Sequence, residues 1–250
     1  MRTVFITGAT SGIGAATARL LAGPDFRLIL CGRRKNRLDE LAHELSQRTE
    51  VTTLSFDVRH QQEVEKAINL LPDTWKQIDV LINNAGNAHG LSTIQEGDLT
   101  DWDAMIDINV KGLLYVSRAI LPGMVKRDSG HIINIGSIAG KEVYPNGNVY
   151  CASKFAVDAI TDGMRLDLNK HQIKVTGIHP GLVNTEFAQV RFKGDAGRAA
   201  QVYAGMQPLV AEDVADLIQF VLTRPAHVQI ADLVVFPTAQ ASSTHVNRVS

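Results

Sequence analysis

Three polar side chains between Asn134 and Lys154 have the types and spacing for acid–base chemistry. Asn134-Ile-Gly-Ser137-Ile-Ala-Gly140 is followed, after nine residues, by Tyr150-Cys-Ala-Ser-Lys154. Tyr150 and Lys154 are four apart, which on a helix puts them on one face, a turn apart. A free phenol ionises at about pH 10 and an ammonium at about 10.4. A positive neighbour favours phenolate, so Lys154 is expected to lower the pKa of Tyr150 toward the working range of a general acid–base. Ser137 ends a hydrophobic run and can donate to an oxygen that gains negative charge. A Tyr and a Lys also share many solvated helix faces by chance. The pair gains meaning only if the rest of the chain builds a cofactor site beside it.

A glycine-rich turn is the second signal. Thr7-Gly8-Ala9-Thr10-Ser11-Gly12-Ile13-Gly14 lies between an apolar run and a helical pattern. Glycines there permit a tight turn and close approach of the backbone to a ligand. The helix that follows offers free N–H groups and a positive dipole end to a phosphate. The second apolar run ends in Gly32-Arg33-Arg34-Lys35. An NAD site would place an acid here on the ribose 2′-hydroxyl; two arginines at a helix start call instead for an anion such as the 2′-phosphate of NADP. Asp57-Val58 follows the third run and suits either the adenine or a helix cap. Asn83-Asn84-Ala85-Gly86 follows the fourth, with the small residues and amides expected at the crevice of an open α/β sheet. Asn109 stands inside an apolar helical stretch. As a poor helix former it is expected to disturb the helix and free a carbonyl for a water. Pro180-Gly181 turns the chain after the sixth run.

These residues need a scaffold, and the hydrophobic pattern supplies one. Strands are predicted at Thr3–Thr7, Arg27–Cys31, Val51–Phe56, Asp79–Ile82, His131–Ile135, Ile173–Ile178 and Leu233–Phe236. Helical spacing fills Gly12–Ala22, Lys35–Arg48, Gln61–Leu71, much of Leu99–Arg127, Val149–Lys170 and Ala211–Leu222. Apolar strands alternating with helices imply a parallel sheet covered on both faces: a doubly wound, Rossmann-type α/β fold of about seven strands. Nothing in residues 1–250 marks a linker, so one catalytic domain is expected. Asn184–Pro208 reads as a long loop, basic around Arg191-Phe-Lys193, of the kind that often carries function in a compact domain. The polar tail Pro237–Ser250 reads as disordered or packed on another subunit.

Composition narrows the function. The 250 residues are 45% hydrophobic and 20% charged, and their net charge of -1 argues against a nucleic-acid partner. The two cysteines, Cys31 and Cys151, suit buried thiols in a reducing compartment. No apolar run is long enough for a membrane span, and Val4-Phe5-Ile6 is too short for a secretory signal. A cytoplasmic protein is expected. The eight histidines show no metal spacing, so no metal is expected, and without a Gly-x-Ser-x-Gly elbow or a His partner for Ser137 a hydrolase is disfavoured.

Together, Thr7-Gly-x3-Gly-x-Gly14, Asn83-Asn-Ala-Gly86, Asn109, Ser137, Tyr150-x3-Lys154 and Pro180-Gly181 resemble the short-chain dehydrogenases/reductases in order and spacing, over almost the whole chain. The resemblance implies that Tyr150 is the general acid–base and that Lys154 lowers its pKa and binds nicotinamide ribose. It implies that Ser137 holds the substrate oxygen and Asn109 a relay water. It places NADP(H) along Gly8, Thr10 to Gly14, Arg33, Arg34, Asp57, Val58, Asn84 to Gly86, Pro180, Gly181, Val183 and Thr185, and it implies a homotetramer. Gly32-Arg-Arg34, Pro122-Gly-Met124 and the Asn184-Thr-Glu-Phe to Arg191-Phe-Lys-Gly-Asp195 segment are similar to the NADP-dependent 3-hydroxy acid dehydrogenases, also described as serine or allo-threonine dehydrogenases. In the loop that the resemblance places over the substrate, Arg191 can clamp a substrate carboxylate, and Lys193 shares that loop; a solvated or inter-subunit basic loop reads equally well. Two rivals use the same residues: a carbonyl or 3-oxoacyl reductase, and a dinucleotide sensor without chemistry, which loss of Tyr150 or Lys154 would favour.

Overall fold

The apolar runs become strands because each residue of a covered strand buries its side chain on one face or the other. In a computed structural model, which describes residues 1–249, they form seven parallel strands: β1 (Arg2–Thr7), β2 (Phe26–Gly32), β3 (Val51–Ser55), β4 (Val80–Asn83), β5 (Gly130–Ile135), β6 (Ile173–Pro180) and β7 (Asp232–Val235). Their order is β3-β2-β1-β4-β5-β6-β7, with β1 paired on both sides, Ile6 facing Leu30 and Ile82. Alternation sorts the core. Val4, Ile6, Leu28 and Leu30 pack on one face; Phe5, Ile29, Cys31 and Leu81 pack on the other. Each such fully buried Leu or Ile contributes roughly 1.5–3 kcal/mol of transfer free energy.

Nine α-helices connect the strands among the described residues: α1 (Gly12–Leu21), α2 (Lys35–Leu45), α3 (Gln61–Asn69), α4 (Leu99–Ile106), α5 (Gly112–Lys126), α6 (Asn148–Leu168), α7 (Phe187–Arg191), α8 (Ala196–Gln201) and α9 (Ala211–Leu222). The first face is covered by α1, α2 and α9 through Ala18, Leu38, Leu41 and Ile218; the second is covered by α3, α5 and α6 through Val64, Val116 and Val157. No helix among the described residues is long and apolar enough to cross a membrane.

Strand boundaries agree with the pattern to within two residues. Two expectations are corrected. Asn184–Pro208 is not an irregular loop, because two short helices, α7 and α8, form within it. Asp195 caps α8 by accepting from the Arg198 N–H at 3.0 Å. The tail packs on its own chain. The Gln240 amide oxygen accepts from the Leu182 N–H at 2.8 Å, and Val249 N–H bonds Gly205 O at 2.8 Å. A polar segment folds back here because its side chains satisfy backbone groups on the loop after β6. Ser250 lies outside the described residues.

Candidate active site

A cavity of about 510 Å³ opens along the C-terminal strand edge above β1 and β4, where the strand order changes direction. That is where open α/β sheets bind ligands. Gly8, Thr10, Ser11, Gly12 and Ile13 form one end of it. Gly8 has φ +67°, and a Cβ there would stand 2.8 Å from Asn84 Nδ2. Asn84 in turn donates to Thr7 O at 2.9 Å, so β4 pins the glycine turn. Gly14 lies behind the cavity wall, where a Cβ would collide with Gly8 O. No side chain caps α1 at Ser11, leaving its first N–H groups free for a phosphate.

The basic pair divides its work. Arg34 donates to Thr10 Oγ1 at 3.1 and 2.9 Å, to Ser11 Oγ at 2.8 Å and to Glu186 Oε2 at 2.9 Å. Arg37 takes the other Glu186 oxygen at 2.6 Å. Burial pushes the Glu186 carboxyl up, but the two guanidiniums outweigh it and hold its pKa down at about 2. Arg33 is exposed, 3.7 Å from Asp57, and reaches over the cavity rim. Asp57 is held by Arg59 at 2.8 Å, while Val58 lines the cavity beside it. Asn84, Ala85 and Gly86 line the floor, and Pro180, Gly181, Val183 and Thr185 the opposite wall. An uncapped helix N-terminus, a guanidinium pair beside it and an elongated cleft suit a dinucleotide with a 2′-phosphate.

The catalytic candidates meet at the inner end. Ser137 closes β5 into a short turn and accepts from the Ala139 N–H at 3.1 Å. Tyr150 and Lys154 face the cavity from the first two turns of α6, both buried. Burial raises the phenol's pKa above its ordinary value, while a hydrogen bond with Ser137 and the Arg191 guanidinium pull it down. The expected depression by Lys154 is therefore not found in the free protein. Lys154 Nζ instead donates to Ile135 O at 2.9 Å. Desolvation lowers its own pKa to about 8. The cause is the same for both: a dry pocket favours the neutral form of each.

Asn109 lies just behind this floor. The helix from Leu99 to Lys126 widens into a π turn at Asp107–Lys111, as a poor helix former predicts. Its side chain is fully used: Oδ1 accepts from Asn87 N–H at 2.9 Å, and Nδ2 donates to Asn87 O at 2.8 Å and Ser153 Oγ at 3.0 Å.

Arg191 reaches the same end from α7. Its Nε donates to Gly90 O at 3.1 Å and its Nη1 to Tyr144 Oη at 2.9 Å. The guanidinium carbon stands 5.5 Å from the ring centres of both Tyr144 and Tyr150. Phe187, one turn earlier, tilts against Tyr150 at 5.6 Å. Lys193 is not part of the site; it pairs with Asp101 at 3.0 Å outside. Tyr144, Glu186, Phe187 and Gln240 also line the cavity. No spacing rule points to them, because they reach the site from a turn, a short helix and a tail.

A family model described as short chain dehydrogenase matches residues 2–196. A sulfoacetaldehyde reductase of Chromohalobacter salexigens is 46% identical over 241 residues, covering 96% of each chain. An NADP-dependent 3-hydroxy acid dehydrogenase of Escherichia coli is 45% identical over 239 residues, covering 95% of this chain and 96% of that one. A closed form of serine dehydrogenase complexed with NADP+ superposes with a TM-score of 0.92 at 44% identity, over 99% of both chains. With matches of this extent, and with Ser137, Tyr150 and Lys154 gathered at one end of the cleft, the chain belongs to the short chain dehydrogenase family.

Proposed function

We propose that the chain is an NADP-dependent oxidoreductase. It moves a hydride between NADP(H) and the hydroxyl or carbonyl carbon of a small substrate with an anionic head, such as the 3-hydroxyl of serine, allo-threonine or 3-hydroxybutyrate. The observation that carries the substrate class is Arg191, a cation held 5.5 Å from the ring of the reacting phenol. An arginine fork recognises a carboxylate in a directed, charge-assisted way.

Bound nicotinamide supplies or accepts the hydride. The protein's own residues handle everything else. Ser137 donates to the substrate oxygen. Tyr150 gives that oxygen a proton in reduction and removes one in oxidation. Burial makes its phenolate costly, so a protonated Lys154 is needed to stabilise it. A lysine that titrates at about 8 can hold or release a proton near working pH. The π turn at Asn109 opens the local backbone where a relay water would sit. Arg33 and Arg34 take the 2′-phosphate, and the free N–H groups of α1 take the pyrophosphate. Exposed Leu114, Phe155 and Leu166 on α5 and α6 support assembly into a homotetramer. The reading includes a single domain and a cytoplasmic location.

A second reading has its own support. A sulfonate is also an anion, and one 46% identical relative is named a sulfoacetaldehyde reductase. A spectrophotometric panel at 340 nm separates the two. NADP is offered with serine, allo-threonine and 3-hydroxybutyrate; NADPH is offered with sulfoacetaldehyde, a 3-oxo acid and neutral ketones. Turnover confined to neutral ketones would sink the anionic-substrate reading, and NAD outperforming NADP would sink the cofactor.

A further inference from the structure

Outside the cavity, four charged or titratable groups from four separate segments meet beneath the catalytic residues. Lys141 Nζ donates to Asp158 Oδ1 and Asp232 Oδ2, each at 2.8 Å. His179 is 1% exposed, with Nε2 2.6 Å from Asp232 Oδ1 and 3.6 Å from Asp158 Oδ1. None of the four lines the cavity. We propose that Lys141, Asp158, His179 and Asp232 form a charge clamp that positions Ser137 against Tyr150 and Lys154. All four are positioning residues. The inference rests on the catalytic roles given above to Ser137 and Tyr150.

The connections are short. Lys141 ends the turn that Ser137 begins: Gly140 N–H bonds Ser137 O at 2.8 Å, and Lys141 N–H bonds Ile138 O at 2.9 Å. Gly140 lies directly on α6, where a Cβ would come within 2.7 Å of Lys154 O. Asp158 is one turn past Lys154 on the same helix. His179 immediately precedes Pro180 of the cavity wall, and its ring sits under Gly136, where any Cβ would collide with it. Asp232 opens β7 opposite Gly177. The clamp thus ties together the Ser137 turn, the Tyr150–Lys154 helix and the Pro180–Gly181 wall.

The chemistry favours a clamp over a metal site. The ligand atoms of Asp158, His179 and Asp232 all lie within 4.8 Å of one another, close enough for a divalent cation. Lys141 already supplies the cation, bridging both carboxylates. Its side chain is 27% exposed and theirs 24% and 43%, so the bridge is shielded on its inner side and reachable from solvent. His179 leans on Asp232 without a well-aligned hydrogen bond, so the ring acts as a buried spacer as much as a donor.

The test uses the full chain with NADP and the best substrate of the panel. Lys141→Met and Asp232→Asn should lower kcat at least about tenfold, since a misplacement of about 1 Å at a reacting group can cost about 100-fold. KM for NADP should change by less than kcat, because the glycine turn and the arginines that hold the cofactor's phosphates lie away from the clamp. Lys141→Arg, which keeps a bridging cation, should retain most of the activity. The decisive measurement is Lys141→Met combined with Ser137→Ala. If the clamp acts by placing Ser137, the double variant should be little worse than Ser137→Ala alone. An equal kcat loss in both backgrounds would overturn the proposal, and so would full activity in Lys141→Met. Loss of wild-type activity on chelation, restored by zinc, would assign the cluster to a metal and overturn it as well. Unaltered activity in Tyr150→Phe would be a different failure, removing the catalytic assignment on which the clamp rests.

Discussion

Arg191→Gln gives the sharpest test of the substrate class. The arginine has two kinds of work to lose. One is structural: its bonds to Gly90 O at 3.1 Å and Tyr144 Oη at 2.9 Å tie α7 to the segments after β4 and β5. The backbone repeats that tie, because Gly90 N–H bonds Arg191 O at 2.9 Å, so α7 stays attached in the variant. The other is recognition. Nη2 makes no hydrogen bond among the described residues and is free for an anion. Removing one partner of a buried, hydrogen-bonded charge pair costs about 2–5 kcal/mol. Arg191 is only partly buried, so the lower part of that range applies. About 2–3 kcal/mol corresponds to roughly 30- to 150-fold in kcat/KM for anionic substrates. A neutral ketone feels only the lost hydrogen bonds, about 1 kcal/mol or roughly fivefold. The assay measures kcat/KM for a matched anionic and neutral pair in both proteins. Arg191→Lys keeps the charge but not the fork and should fall between them. Equal losses on the two substrates would refute the reasoning, leaving Arg191 as a latch alone.

Three further outcomes follow from the same geometry. Tyr150→Phe should cost roughly 10²- to 10⁴-fold in kcat with the fold intact by circular dichroism; retained activity would refute its acid–base role. Arg33→Ala should weaken NADP by about tenfold and NAD hardly at all, whereas Arg34→Ala should also raise substrate KM because it leaves Glu186, at the start of α7, held by Arg37 alone; fluorescence titration with both cofactors checks the first part, and equal loss for NADP and NAD would contradict it. Lys154 has a folded pKa below its unfolded value, so its charged form costs stability that is recovered as pH rises from about 8 toward 10.5. Lys154→Met should therefore be more stable than the parent at pH 7, by on the order of 2 kcal/mol, with the gap closing above that window; denaturant unfolding at both pH values would expose a gap that fails to close.

The candidate site residues were legible because their physical demands are local. Gly8 needs a positive φ, Asn109 resists a regular helix, and Tyr150 and Lys154 share a helix face by spacing alone. The doubly wound sheet was legible for a related reason: a strand covered on both faces must be apolar throughout. Lys193 looked equivalent to Arg191 in the sequence, yet Asp101 claims one and the cavity the other.

What the sequence determined by itself is the parallel sheet, which rests on the apolar pattern of each strand, and the class of reaction, which rests on the resemblance carried by its motifs taken as a set. Tertiary structure decided the rest. Only packing brings Arg191 and Phe187 onto Tyr150, sets Glu186 between Arg34 and Arg37, and folds Gln240 of the tail onto Leu182. Burial, which no spacing reports, raises the phenol's pKa and lowers that of Lys154. Desolvation and long-range contacts depend on which surfaces meet, and along the chain those partners are tens to hundreds of residues apart. The gathering of Lys141, Asp158, His179 and Asp232 under the candidate active site is the clearest case, because each lies in a different segment and none is marked by its neighbours.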